Sequence, residues 1–196
     1  MDEKVIDSWS KILNPDILRG KVISFSIYIT AFELLKNVII TKVENFFIGP
    51  FDDEDAQKTY EKKVLSLSKS KLYASLLWLK DMEAIDDEDI KRFNALKKVR
   101  NNVSHEMFDL LCSEPIFDIL HELDSIIIIL NKIELWWFYN LDMAIDPDSY
   151  PDDLDINAIQ PMSVWTLKLI ISVALGDEKE AKVVFEEFCQ KVKEMN

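Results

Sequence analysis

The sequence predicts an all-α fold, and three observations support this. The 196 residues include 3 glycines and 6 prolines, fewer turn residues than a protein built of short strands needs. Apolar residues recur every three to four positions over long stretches, as on one face of a helix. They make up 48% of the chain, which is enough for a sizeable core. We predict an up-down antiparallel four-helix bundle over 1–140, an acidic loop over 141–158 and a C-terminal helical pair over 159–196 that packs on the bundle.

The amino-terminal part of the chain predicts a short helix followed by a long one. The short helix is expected near residues 5–13. The Asn-Pro-Asp sequence at 14–16 supplies an N-cap residue, a proline for the first helical position and an acid for the first turn. Apolar spacing then continues over 17–46, and the Gly-Pro pair at 49–50 is expected to end this helix.

Acidic runs mark the starts of the next two predicted helices. The run at 52–55 caps a helix that extends to about Met82, and the run at 86–89 caps one that extends to about Leu111. A fourth helix is expected over about 115–140 and is apolar on most of its surface. Such a helix is normally buried, so we expect it to be the central helix of the bundle or a dimer face.

The last part of the chain predicts a loop and two helices. The loop, 141–158, contains six aspartates and few apolar anchors. A solvated linker is favoured over a divalent-cation site, because the acids lack a fixed ligand spacing such as that of an EF-hand. Helices are expected over about 161–174 and 178–194, with Gly176 ending the first.

The charge and the cysteines restrict the classes of function. The net charge of −13 repels nucleic acid at long range and argues against a protein that coats duplexes. An RNA substrate would need a local basic patch, and residues 91–100 offer one (Lys91, Arg92, Lys97, Lys98 and Arg100). The alternative is a solvated helix face that opposes the acidic run at 86–89. Cys112 and Cys189 show no metal-binding spacing and are expected to be free thiols.

The sequence gives no indication of export, a membrane span, a metal or a cofactor. The amino terminus lacks the apolar stretch and cleavage site of a signal peptide. The most apolar run, 126–138, is too short and too polar to span a bilayer. We therefore expect a cytoplasmic protein that needs neither a metal nor a cofactor.

One short stretch, 100–105, combines residues suited to phosphodiester chemistry. Arg100 offers a permanent cation with a planar fork of donors that suits a phosphate. His105 is of the one residue type that titrates unaided near neutral pH and can move a proton. Asn101, directly after the arginine, adds a neutral donor and acceptor. These three residues are the candidate catalytic group.

This stretch and the sequence before it resemble the HEPN superfamily, small helical bundles with an Arg-polar-x(3–5)-His motif late in the bundle. A helix-forming stretch at 71–80, an acidic cap at 86–90 and the helix 93–105 with its Arg-Asn-x-x-x-His motif follow the family's order. The resemblance covers 70–111 well and the rest of the bundle loosely. The acidic loop and the last two helices lie outside it.

The resemblance implies metal-independent cleavage of RNA by a homodimer whose two motifs face one another. Many relatives are toxins or phage-defence nucleases, often encoded with a nucleotidyltransferase-like antitoxin. The mannitol-operon regulator group has a similar stretch and is regulatory. Two hypotheses therefore stand side by side: an endoribonuclease, and a non-catalytic regulatory or interaction protein that binds a protein or nucleotide partner.

In the ribonuclease hypothesis each motif residue has a role. His105 takes the proton of a ribose 2′-OH or delivers one to the 5′-oxygen, and Arg100 holds the phosphate. Asn101 hydrogen-bonds His105 or the phosphate. Lys97, Lys98 and Ser104 are the candidate substrate-binding residues. In the alternative, Arg100 caps a helix end or pairs with an acid, and His105 packs as a partly buried histidine.

Helix geometry limits what one copy of the motif can do. Five residues at about 100° each place Arg100 and His105 about 140° apart, unless the helix loosens near Val103. In a homodimer each site can take residues from two chains. Outside the motif, His121 is expected to be a core or interface histidine, and the tryptophan pair 136–137 to lie in the core or a dimer contact.

Overall fold

The computed structural model describes residues 3–49, 53–112, 118–151, 154–155 and 159–176, together with 182, 183 and 186. Over these residues the chain is helical, as predicted, with short connections. The helices are α1 (Glu3–Leu13), α2 (Pro15–Ile48), α3 (Glu54–Lys63), α4 (Lys71–Asp81), α5 (Asp87–His105), α6 (Met107–Cys112), α7 (Ile119–Trp137), α8 (Met143–Ile145) and α9 (Met162–Leu175).

Helix α2 is the element around which the others pack. It contacts α3, α4, α5, α7 and α9 along its length. Its predicted N-cap is confirmed: the side chain of Asn14 accepts the backbone N–H groups of Asp16 and Ile17 at 3.0 and 3.3 Å. The buried side chains of α2 are Phe25, Ile27, Tyr28, Ala31, Phe32, Leu35, Ile39 and Val43.

The fourth predicted helix, α7, does not occupy the centre that the sequence assigned to it. It buries one side against α2, α5 and α9 but leaves Leu120 and Ile128 exposed. Because α2 makes more of the interhelical packing, α2 takes the central place. The alternative role of α7 as a dimer face stays a prediction.

An aromatic cluster closes the end of the core where α2, α4 and α7 meet. Trp78 of α4 stacks on Trp137 of α7 with ring centroids 5.8 Å apart. Trp136 meets Trp78 edge-on at 6.2 Å, and Phe46 of α2 lies 5.5 Å from Trp137. Trp137 is 3% exposed, which confirms it as a core residue, whereas Trp136 is partly buried and packs against the core.

The helix predicted from 52–55 to Met82 is wrong as a continuous element. It is divided into α3 and α4 by a 3₁₀ turn at Leu65–Leu67 and an extended Ser68. The hydroxyl of Ser68 accepts the backbone N–H of Ser70 at 3.2 Å. Serine side chains offer the backbone such an alternative to helical hydrogen bonds, which explains why the chain bends here.

The third predicted helix ends earlier than expected, and the fourth begins later. The helix predicted to reach Leu111 ends at His105, Glu106 is its C-cap, and α6 starts a new helix at Met107. Helix α7 starts after Asp118, whose carboxylate accepts the backbone N–H of Leu120 at 2.9 Å. The start predicted at 115 lies outside the described residues.

The carboxyl-terminal part of the chain follows the prediction as far as it is described. The helix expected over 161–174 is α9, and Gly176 follows it directly. Glu134 of α7 accepts a hydrogen bond from the Ser163 hydroxyl at 2.8 Å and pairs with Lys42 of α2, which docks α9 on the bundle. The helix expected over 178–194 lies outside the described residues, apart from 182, 183 and 186.

The segment predicted as an acidic loop is partly helical. A π-helical turn, Phe138–Asp142, continues α7 into α8, and a 3₁₀ turn follows at Pro147–Ser149. Residues 152–153 and 156–158 of this segment lie outside the described part. Among the described residues no group of three or more His, Cys, Asp or Glu side chains is placed to hold a metal ion.

Helix α2 also has the length and composition of a membrane-spanning helix. An 18-residue window in it reaches a mean hydropathy of 1.5, and 44% of that window is buried against other helices. A helix at the centre of a core passes the same test, so this finding is weak evidence for a membrane span. It is the one such helix among the described residues.

Two glycines of α2 predict opposite responses to the same substitution. Gly20 is helical with open space around it, so Gly20→Ala is expected to raise the free energy of unfolding by about 0.5–1 kcal/mol. Gly49 caps α2 at φ 60° and ψ −165°, a conformation that side chains disfavour. Gly49→Ala is therefore expected to lower the free energy of unfolding by about 1–3 kcal/mol. Urea denaturation measures both, and equal signs would contradict the assigned backbone.

Candidate functional site

Helix α5 carries the motif, and its first turn is fixed by a capping box. Asp86 accepts the backbone N–H groups of Glu88 and Asp89 at 2.9 and 3.0 Å, and the Asp89 carboxylate accepts the N–H of Asp86 at 3.0 Å. Lys132 of α7 donates to the carboxylates of both aspartates, at 2.9 Å for Asp86. The start of α5 is thereby tied to α7 as well as capped.

The buried face of α5 sets the rotation of the helix about its axis. Phe93, Leu96 and Val103 are fully buried. The Tyr28 hydroxyl of α2 donates to the backbone carbonyl of Leu96 at 2.8 Å. Burial, with a smaller contribution from the charge of Glu122, raises the pKa of Tyr28 well above its ordinary range, so the hydroxyl stays a donor. Because this face of α5 is packed, the side chain of Arg100 lies against α2.

Arg100 lies between α5 and α2 and is paired with an acid. One terminal nitrogen (Nη2) donates to Glu33 of α2 at 2.7 Å, and the other (Nη1) lies 3.5 Å from the side-chain oxygen of Asn101. Its Nε is buried, with no partner in the part of the chain that the structure describes. Glu33 also pairs with Lys36, one turn along α2. The pairing with an acid that the sequence offered as the alternative for Arg100 is present.

The charge of Glu33 is favoured by its two cationic partners. The hydrogen bond from Lys36 lowers the pKa of Glu33 most, and the hydrogen bond from Arg100 lowers it further, against an opposing effect of partial burial. The carboxylate therefore stays ionised and keeps both cations in place near neutral pH.

His105 is the last residue of α5 and is exposed. Its side chain makes no hydrogen bond or ion pair with any residue that the structure describes. The partly buried histidine of the alternative hypothesis is therefore not what is seen. Ser104 beside it is exposed, whereas Asn101 is half-buried. The imidazole is available to a ligand or to another chain.

The helix stays regular between the two main motif residues. Helix α5 is continuous through Arg100 and His105, and Val103 between them is fully buried. The loosening that would bring the two side chains together is absent here, so they project about 140° apart. One chain by itself does not bring Arg100 and His105 to one reacting phosphate.

The basic patch on α5 is partly neutralised. Lys91 pairs with Glu88 at 3.4 Å and Arg92 with Asp89 at 3.8 Å, in agreement with the solvated-face alternative. The Lys97 ammonium lies 4.7 Å from the centre of the Tyr73 ring of α4.

Lys98 differs from these three residues. It is exposed, and no partner for it is found in the described part of the chain. Of the predicted substrate-binding lysines, Lys98 is thus the freer one.

Sequence reasoning missed two residues of this site and misplaced a third. Glu33 and Lys36 were not selected, although their spacing of three on a helix is typical of an ion pair. The prediction of His121 as a core histidine is wrong: its side chain is 75% exposed and lies 3.9 Å from Glu122. The buried stripe of α7 passes through Leu123 and Ile126, and position 121 falls outside it. The alternative of an interface histidine stays a prediction.

The thiols add nothing to the site. Cys112 is free and half-buried at the end of α6. Cys189 lies outside the described residues.

Comparisons of the chain with protein-family models, with curated proteins and with solved structures found no match. The functional argument therefore depends on the chain's own residues and on the sequence resemblance of 70–111.

The contact of Lys132 with the α5 cap predicts a dependence of stability on pH. The hydrogen bond from Lys132 has the largest effect on the pKa of Asp86, and the hydrogen bond from the backbone N–H of Asp89 has the next largest. Together they lower this pKa from 3.8 to about 2. The stabilisation is fully present above the ordinary pKa of aspartate and is lost as the pH falls from about 4 to about 2. Lys132→Met is expected to raise the pKa of Asp86, as measured by carboxyl-carbon NMR titration. Lys80→Met, which removes a partner of Asp87, is the control and is expected to leave the pKa of Asp86 unchanged.

Proposed function

We propose that this chain is a HEPN-type, metal-independent endoribonuclease that cleaves RNA through a composite site of a homodimer. The observation that supports the proposal best is the contrast within one anchored helix. Arg100 is paired with Glu33 of α2, while the side chain of His105 is exposed and has no partner in the described chain. A fixed cation and a free proton carrier are the two groups that cleavage by a ribose hydroxyl needs.

The proposal extends to the architecture. In it, α2, α4, α5 and α7 form the up-down antiparallel bundle of the HEPN type, and α9 is an addition to that bundle. The packing of α4, α5 and α7 around α2 is compatible with this arrangement. So is the motif's place at the end of the third long helix of the bundle, α5.

The proposed mechanism uses one histidine from each subunit. His105 removes the proton of a ribose 2′-OH, and the 2′-oxygen attacks the adjacent phosphorus. The 5′-oxygen leaves with a proton from the partner subunit's His105, which gives a 2′,3′-cyclic phosphate and a 5′-hydroxyl. Arg100 stabilises the extra negative charge on the phosphorane. Because the two residues diverge by about 140° on one helix, a second subunit is part of the proposal.

The remaining motif residues assist in this scheme. Asn101 orients the phosphate or the imidazole, and Lys97, Lys98 and Ser104 bind flanking parts of the RNA. No metal or cofactor takes part. The protein acts in the cytoplasm as a toxin or phage-defence nuclease that an antitoxin partner restrains.

A second candidate function is a non-catalytic HEPN protein that binds a regulatory protein or a nucleotide. Two observations favour it. Arg100 is already paired with Glu33, which competes with a phosphate, and the chain carries a net charge of −13. In this function the exposed His105 is a contact for the partner rather than a proton carrier.

Cleavage of a mixed single-stranded RNA in EDTA separates the two functions. The wild-type protein is expected to release products with 2′,3′-cyclic phosphate ends. His105→Ala is expected to lower the rate by about 10²–10⁴-fold, because it removes the proton carrier. Arg100→Ala is expected to lower it by about 10²-fold or more. Lys58→Ala, at an exposed residue of α3 outside the motif, is the control and should cleave like the wild type.

Two results would contradict the ribonuclease proposal. One is a folded wild-type dimer that leaves every RNA intact. The other is cleavage that persists in His105→Ala, which would point to a contaminating nuclease. Either result would favour the partner-binding function.

A further inference from the structure

The carboxylate of Glu33 joins cations from two helices. Lys36 of α2 contacts one of its oxygens and Arg100 of α5 contacts the other. With charge-assisted hydrogen bonds of about 2.8 Å to the two oxygens of one carboxylate, the positive groups lie within about 8 Å of each other. Lys36, Glu33 and Arg100 are here called the α2–α5 triad.

The α2–α5 triad keeps a net positive charge and free donors. Two cations and one carboxylate leave one positive charge, on a chain whose total charge is −13. An ammonium has three N–H donors and a guanidinium five, and Glu33 accepts one from each. The side chains of the triad are about one-third exposed (32% for Lys36, 34% for Glu33 and 31% for Arg100). The unused donors of the Lys36 ammonium and of the terminal nitrogens of Arg100 can therefore reach a ligand, whereas the buried Nε of Arg100 cannot.

The side chains of the triad are restrained by partial burial and by the spacing of α2. The Nε of Arg100 is buried, so the stem of the side chain is held within the structure while the two terminal nitrogens make the polar contacts. Lys36 and Glu33 are one turn apart on the central helix, where their spacing is fixed by the helix itself. Cations that are already positioned lose less freedom when a ligand binds.

We propose that Lys36 and Arg100, bridged by Glu33, form a binding site for the phosphate backbone of single-stranded nucleic acid. Lys36 contacts the phosphate, and Glu33 is a positioning residue that holds both cations. The identity of the ligand rests on the proposed function, whereas binding by the triad does not require cleavage. The site adds an α2 lysine to a surface that the sequence assigned to α5 alone.

Binding of an uncleavable probe tests the site. The probe is a fluorescein-labelled single-stranded oligonucleotide with 2′-deoxyribose throughout, measured by fluorescence anisotropy over a range of salt concentrations. Lys36→Met is expected to weaken binding about fivefold and to reduce the slope of log K against log salt by about 0.7, the loss of one phosphate contact. Inorganic phosphate at constant ionic strength is expected to compete with the probe.

Two further variants control for charge and folding. Lys58→Met removes a lysine from an ion pair of the same i,i+3 spacing on α3 and is expected to bind like the wild type. Lys36→Arg keeps the positive charge that neutralises a phosphate and is expected to bind within about twofold of the wild type. If Lys36→Met binds like Lys58→Met, or if Lys36→Arg loses as much as Lys36→Met, the proposed site is wrong.

Glu33→Gln distinguishes a positioning residue from a simple anion. Removing its negative charge is expected to leave probe binding equal or tighter, yet to lower kcat on RNA without raising KM, because Arg100 loses its orientation. Lower kcat with weaker binding would mean general damage and would overturn the positioning role. If the wild-type protein binds the probe but cleaves no RNA, only the ribonuclease proposal is wrong. If the wild-type protein does not bind the probe, the proposed binding site is wrong.

Discussion

The packing of five helices against α2 is the constraint on which the rest of the structure depends. This helix has 34 residues, and α3, α4, α5, α7 and α9 contact different parts of it. That arrangement decides which polar residues of α2 face a neighbour. Glu33 lies where α5 passes, so its charge is met by Arg100 at 2.7 Å. The centre of the bundle therefore places an acid beside the motif.

Helix α5, which contains the motif, is anchored at its start and along its buried face. Its first turn is held by the Asp86–Asp89 capping box and Lys132, and near its other end Val103 is fully buried. Rigidity has two consequences for function. It fixes the position of Arg100, the residue that we propose binds a phosphate, and it prevents one chain from turning Arg100 and His105 toward the same point. A composite site would resolve this conflict without deforming the helix.

The sequence predicted the local features of the fold well and the long-range ones poorly. The cap at Asn14 and the acidic cap of α5 were predictable, because a cap depends on residues two to three positions away. The division between α3 and α4 was missed, because serines are also tolerated inside helices. His121 was placed in the core because Leu120 and Leu123 flank it. A shift of one residue along a helix changes which side of it a side chain lies on, and Leu120 is itself exposed.

The site could be predicted only on the side that lies within one helix. Arg100, Asn101 and His105 stand together in the sequence, but Glu33 is 67 positions from Arg100, and no local pattern links them. This missing contact bears on both candidate functions. As an isolated pair, Glu33 and Arg100 would neutralise each other, which favours a non-catalytic protein. Because Lys36 shares the carboxylate, one positive charge remains at the motif. The pairing of Arg100 is thus compatible with phosphate binding, and the acid keeps the cation oriented rather than removing it.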